Sequence, residues 1–101
     1  MTRVELAPRA REQIRRIDEW WRAHRLAASD LFAAELIAAL EALAGVPTKG
    51  AVYERYAGFE VRCVLLRRSQ YRVYYSYDEI SSLVQIRAVW HAARGRGPQL
   101  A

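Results

Sequence analysis

Arginine fills fifteen of the sixteen basic positions in this sequence of 101 residues, and three of them, Arg62, Arg72 and Arg87, fall in three neighbouring stretches that read as β-strands. A guanidinium is permanently charged and offers a planar fork of donors, so it suits bidentate contact with a carboxylate or a phosphate. Three such groups on one sheet face would make a positive docking patch for either anion. The charge is also placed unevenly. Residues 1–54 balance at eight bases and eight acids, whereas residues 55–101 hold eight arginines against Glu60, Asp78 and Glu79, which is the whole of the net +5. A bias in base usage would explain arginine over lysine, but not this asymmetry. A one-sided field points to an acidic partner, nucleic acid or protein. Arg94 and Arg96 carry it into a glycine- and proline-interrupted tail over 93–101 that is expected to be flexible.

The other reactive side chains say less. His91 ends an apolar stretch beside Trp90 and reads first as a hydrogen-bonding structural residue. His24 falls at a helix end, where a cation suits the dipole. The two histidines lack metal-ligand spacing and no carboxylate cluster joins them, so neither a metal nor a cofactor is expected. A single cysteine, Cys63, excludes an internal disulfide and a cysteine-based zinc site, and reads as a small buried apolar group. Tyr71, Tyr74, Tyr75 and Tyr77 could stack on nucleic-acid bases, but strand propensity accounts for them as well. Trp20 and Trp21 point about 100° apart on a helix, so one faces the core while the other, Trp20, is placed as an exposed anchor for a partner.

These residues need elements to hold them. Arg3 to Leu6 alternates and reads as a short strand. Pro8 opens a helix, and Ala10, Ile14, Ile17 and Trp21 give it one apolar face as far as about Arg25. A three- or four-residue link leads to a second helix with Ser29 as N-cap and a stripe of Phe32, Leu36, Leu40 and Leu43, with Ile37 beside it. Gly45 is expected just past its end. So short a link makes an antiparallel hairpin. Strands follow at Val52–Tyr56, Glu60–Arg67, Tyr71–Tyr77 and Leu83–His91, separated by turn signals that force antiparallel pairing. On the third of these, Tyr71, Val73, Tyr75 and Tyr77 face one way and Arg72, Tyr74 and Ser76 the other. On the last, Val84, Ile86, Ala88 and Trp90 oppose Leu83, Gln85, Arg87, Val89 and His91. The fold expected is α+β, in the order β-α-α-β-β-β with room for one more short strand. The helical hairpin covers one face of a small antiparallel sheet, and the other face is wet and carries the arginines. The length fits one domain over 1–101. No apolar run approaches the roughly 18 residues of a membrane span, and no signal-peptide core opens the chain, so a soluble cytoplasmic protein is expected.

This order, together with particular residues, resembles the RelE/ParE toxin superfamily, and its ParE branch best. The resemblance rests on Pro8-Arg9-Ala10 opening the first helix, Ile17 with Trp20-Trp21, and the run Ala34–Leu43 followed by Pro47. It continues through Gly58, Val61-Arg62, Tyr71–Tyr75, and Val89-Trp90-His91 with Arg94. It implies the toxin of a type II toxin–antitoxin system, held inactive by a cognate antitoxin. The antitoxin would bring an acidic amphipathic segment and a ribbon-helix-helix DNA-binding end, and Trp20, Arg62, Arg72, Arg87, Arg94 and Arg96 are the expected contacts. A homodimer or a hetero-oligomer with the antitoxin is open. The ParE branch implies DNA gyrase as target, inhibited by protein contact, with the C-terminal region involved. The RelE branch instead implies ribosome-dependent mRNA cleavage, for which Arg62, Arg72 and His91 would be the catalytic candidates. Against that branch, the strand Glu60–Arg67 holds no lysine, Lys49 sits in a loop, and no tyrosine follows His91. A third reading is a small nucleic-acid-binding module without toxicity.

Overall fold

The computed structural model describes residues 2–93, so Arg94, Arg96 and nearly all of the expected basic tail lie outside the described residues. Strand β1 (Arg3–Leu6) leads into helix α1 (Pro8–His24), a short 3-10 turn (Leu26–Ala28) and helix α2 (Leu31–Gly45). Strands β2 (Ala51–Tyr56), β3 (Phe59–Leu66), β4 (Tyr71–Asp78) and β5 (Leu83–His91) complete one sheet in the order β1-β5-β4-β3-β2. The fold is α+β, with the four consecutive strands antiparallel as expected. β1 adds a parallel edge to β5, pairing Arg3 with Leu83 and Leu6 with Ile86. The sheet is therefore mixed. The two helices carry the chain from β1 at one edge of the sheet to β2 at the other, and the three hairpin-connected strands that follow bring β5 back beside β1.

The helices sit where their apolar stripes dictate. Ala10 and Trp21 of α1, and Phe32, Leu36 and Leu43 of α2, are buried against Leu66, Val73, Tyr75, Val84, Ile86 and Val89. Ile37 lies on the solvent side of α2, 57% exposed. Two helix ends differ from expectation. Asp30 takes the N-cap place of α2 without a side-chain bond, because Ser29 closes the 3-10 turn that bridges the hairpin. Gly45 is the last helical residue, and Val46 ends the helix by donating its N–H to Ala42 O at 2.9 Å.

Pro47–Gly50 is held down from below. The Tyr75 hydroxyl donates to Pro47 O at 2.7 Å and accepts from Gly50 N–H at 2.9 Å. Arg62, opposite Tyr75 in the β3–β4 register, donates to Gly50 O at 2.8 Å and Thr48 O at 3.3 Å. Gly50 has no room for a side chain: a Cβ would stand 2.8 Å from both Cys63 O and the Tyr75 hydroxyl. Gly58 makes the tight β2–β3 turn at φ +90°, a conformation that costs glycine little.

The face away from the helices is not simply wet. Val61, Tyr74 and Ala88 are buried there under Tyr56, Phe59, Cys63 and Trp90. A bulge creates this second cluster. Tyr74 pairs with Ala88 and Tyr75 with Ile86, which leaves Arg87 as the extra residue in β5. One extra residue reverses the alternation beyond it. Val84 and Ile86 therefore point to the helices as expected, but Ala88 and Trp90 point away, and Val89 takes the helix side instead.

Candidate functional site

The strand ends farthest from the β4–β5 turn set the geometry of the site. Tyr71 pairs with His91 and Arg72 with Trp90 in the β4–β5 register. The C-terminal half of α1 passes beside them, with Trp21 buried and Trp20 left 40% exposed. Trp21 Nε1–H donates to the Tyr71 hydroxyl at 3.4 Å, and Gln13 Oε1 accepts from the Val89 N–H at 2.8 Å, tying α1 to the outer edge of β5 beyond the reach of β1. Between helix and strand ends lies an open cleft of about 760 Å³, lined among others by Trp20, Arg25, Arg68, Tyr71, Arg72 and His91. A second recess of about 440 Å³ shares Trp20, Tyr71 and His91 and extends to Gln13 and Arg16.

The lining of the larger cleft includes no carboxylate. Elsewhere the arginines are answered locally. Arg15 pairs with Glu12 and Glu19, Arg16 with Glu12, Arg22 with Asp18, and Arg55 with Glu60. The Glu12 carboxyl is held down at about 2 by its hydrogen bonds from Arg15 and Arg16. Among the described residues no ion pair engages Arg25, Arg68, Arg72 or Arg87. Arg25 instead lies over Trp20, its guanidinium carbon 5.0 Å from the ring centre, and His24 stacks on the same ring at 4.8 Å. Positive potential thus collects around one partly exposed indole, an arrangement suited to an anionic group accompanied by a flat or apolar one.

Arg68 is carried by the β3–β4 turn, and α2 grips that turn. Glu35 accepts from Ser69 Oγ at 2.6 Å, Ser69 N–H at 2.9 Å and Arg68 N–H at 2.8 Å. Burial pushes the Glu35 carboxyl up, but these three donors outweigh it and hold it below its ordinary value. The turn closes with Gln70 at φ 66°, and Gln70 O accepts from Ala92 N–H at 2.8 Å.

Of the residues singled out from sequence, Trp20, Arg72 and His91 meet in the cleft. Arg62 does not share a face with Arg72 and Arg87. The period of two places it opposite Tyr75 on the helix side, where loop carbonyls occupy its guanidinium. Arg87 is on Arg72's side of the sheet, but its Nε–H donates to Ser76 Oγ at 2.8 Å and its guanidinium carbon stands 4.5 Å above the Phe59 ring. Arg72 also borders a groove of about 350 Å³ on the sheet face away from the helices, with Tyr53, Cys63, Leu65 and Tyr74. Arg25, Arg68 and Glu35 were missed in the sequence. Arg25 follows a helix end and Arg68 sits in a turn, so neither belongs to a periodic face. Glu35 reads as an ordinary polar helix position. His91 stands edge-on to Tyr71, 5.0 Å between ring centres, and its Nδ1 accepts from Ala93 N–H at 3.1 Å. The described residues contain no cluster of three or more groups able to hold a metal, and no helix among them is long and apolar enough to cross a membrane.

No curated relative matches the chain by sequence. A solved structure titled as the RelBE2 toxin–antitoxin complex from Mycobacterium tuberculosis contains a similar chain, with TM-score 0.56 and 21% identity over 92% of this chain and 93% of that one, a likeness of fold. Residues 4–95 match the family described as ParE toxin of type II toxin-antitoxin system, parDE, which spans both helices, all five strands and the cleft between them. The chain belongs to the ParE toxin family of type II toxin–antitoxin systems.

Proposed function

We propose that this toxin inhibits DNA gyrase by direct contact through the cationic cleft, and that a cognate antitoxin neutralises it with an acidic amphipathic segment. The observation that carries this reading is the juxtaposition of Trp20 with Arg25, Arg68 and Arg72 in a cleft without carboxylates. Desolvated aromatic and arginine side chains are the usual anchors of protein–protein contacts, and a one-signed cleft raises the encounter rate with an acidic surface. The tail, including Arg94 and Arg96, is assigned to the same contact by family likeness.

His91 and Arg72 in one cleft favour a second reading, mRNA cleavage, since that chemistry needs a base for the ribose 2′-hydroxyl and a cation for the phosphate. The hydrogen bonding around His91 speaks against it. With Nδ1 accepting from Ala93, the neutral ring carries its proton on Nε2, which makes that nitrogen a donor and not a base. Arg62, the third catalytic candidate, is committed to the 46–50 loop.

The test is induction of the toxin in cells with plasmid supercoiling and mRNA integrity followed together, beside supercoiling by purified gyrase. Loss of supercoiling with intact mRNA is expected, reduced by Arg72→Ala and kept by His91→Ala. Cleaved mRNA with normal supercoiling, abolished by His91→Ala, would replace gyrase inhibition with the second reading.

A further inference from the structure

We propose that Glu35, a helix residue outside the cleft lining, is the positioning residue of the cleft: by gripping the β3–β4 turn it fixes Arg68 and Arg72 for acidic segments of a protein partner. This rests on the reading of the cleft as a protein-contact site and adds the device that makes it competent.

The turn is closed by bonds from its last residue, Gln70 N–H to Leu66 O at 2.8 Å and Gln70 Nε2–H to Arg67 O at 2.5 Å, but neither of these holds Arg68 or Ser69. Gln70 is held at φ 66°, a conformation that L side chains rarely adopt and that persists only where the surrounding structure imposes it. Three donors from Arg68 and Ser69 converge on one carboxylate, and Ser69 is only 4% exposed. Hydrogen bonds to a charged acceptor are the stronger kind, so this contact outweighs any neutral turn bond nearby. Consecutive side chains then diverge. Arg67 lies beside α2 with Ala38, Ala42 and Lys49, while Arg68 enters the cleft. Arg72 is the second residue of β4, directly after the turn, and Gln70 O ties the same turn to Ala92 just past the end of β5. A long arginine on a loose turn loses much rotamer freedom when it binds. One whose backbone is already fixed loses less.

Glu35 also carries a negative charge near Arg68, and this gives the test its sign. If the carboxylate acted only through its charge, removing that charge would make the cleft more positive and strengthen binding of acidic ligands. If it acts by position, removing it weakens binding.

The experiment measures affinity of the full chain, freed from its antitoxin, for a hexaglutamate peptide carrying one tryptophan-quenching label, at two ionic strengths. The variants are Glu35→Gln, Ser69→Ala, the pair Arg68→Ala/Arg72→Ala, and the triple with Glu35→Gln. Glu35→Gln and Ser69→Ala are expected to weaken binding about threefold or more, the scale of two partly exposed ionic contacts. Adding Glu35→Gln to the arginine pair is expected to change nothing further, whereas a merely structural loss would still show. Amide exchange at Arg68 and Ser69 should rise in Ser69→Ala, which keeps two of the three bonds and serves if Glu35→Gln folds poorly. Tighter or unchanged binding in folded Glu35→Gln and Ser69→Ala overturns the proposal. Wild-type affinity in the arginine pair instead overturns the reading of the cleft, and the proposal with it.

Discussion

Replacing Tyr75 by phenylalanine removes one oxygen from a ring that is fully buried, and the consequences follow from its two partners. Gly50 N–H, itself buried, loses its acceptor, and Pro47 O loses its donor. A buried polar group left unpaired costs about 1–3 kcal/mol, the more so for the N–H, which has a single hydrogen to place. Pro47 O is only partly buried, so water recovers some of its share. Removing the hydroxyl also removes its own desolvation, which offsets part of the loss. The net expectation is a destabilisation of about 2 kcal/mol, against the 5–15 kcal/mol typical of a whole domain. In a chain of this length that lowers the melting midpoint by roughly 8–16 °C. Urea titration is the assay, and the slope should be unchanged, since the mutation exposes no new surface. Arg62→Ala is the companion. Its guanidinium holds the same loop at Gly50 O and Thr48 O, so the double variant should show a coupling of at least about 0.5 kcal/mol. A Tyr75→Phe protein within about 0.5 kcal/mol of wild type, the ordinary scatter of surface substitutions, would refute the view that this hydroxyl anchors the loop.

Gly50→Ala should cost about 2 kcal/mol or more in the same titration, because the new methyl would meet Cys63 O and the Tyr75 hydroxyl at 2.8 Å and the carbonyl belongs to a paired strand. Stability should hold from neutral pH up to about 9 and then fall. Burial raises the Cys63 thiol from 9.0 to about 11, so the unfolded chain ionises first, and Cys63→Ala should flatten the decline measured by thermal melts. Glu35 gives the opposite limb: its lowered carboxyl stabilises the fold above the ordinary value of 4.5 and ceases to do so in acid, and Glu35→Gln should lessen that acid sensitivity. Trp20→Ala should change the melting midpoint little but impair the proposed inhibition of gyrase, since the ring is 40% exposed at the cleft; full inhibition by that variant would remove Trp20 from the contact.

Most elements were legible because each carries its own period. The four-three-four spacing of Ala10, Ile14, Ile17 and Trp21 has one solution, a helix with that face buried, and the structure buries it. The hairpin turns were equally local: Ala57-Gly58 needs only a glycine able to adopt positive φ. Trp20 and Trp21 separated as the helical rotation requires, one to the surface and one to the core. What local pattern could not supply was register. The bulge at Arg87 looks like any other strand residue in the sequence, yet it moves Val89 to the helix side and Trp90 away. The position of Arg62 on the wrong face for a shared patch had the same origin, because facing depends on which residue of the neighbouring strand it meets.

By itself, then, the sequence determined the order of elements, the two apolar helix stripes, the excess of positive charge in the second half and the family likeness, since all of these are properties of near neighbours or of composition. Only the tertiary structure decided which cations act together. Arg25, from a helix end, lies far in sequence from Arg68 in the β3–β4 turn and Arg72 in the following strand, and it meets them only because α1 packs across the ends of β4 and β5. The parallel docking of β1 and the reach of Glu35 to the β3–β4 turn belong to the same class. Such contacts depend on the path of the backbone through space, which no local spacing encodes.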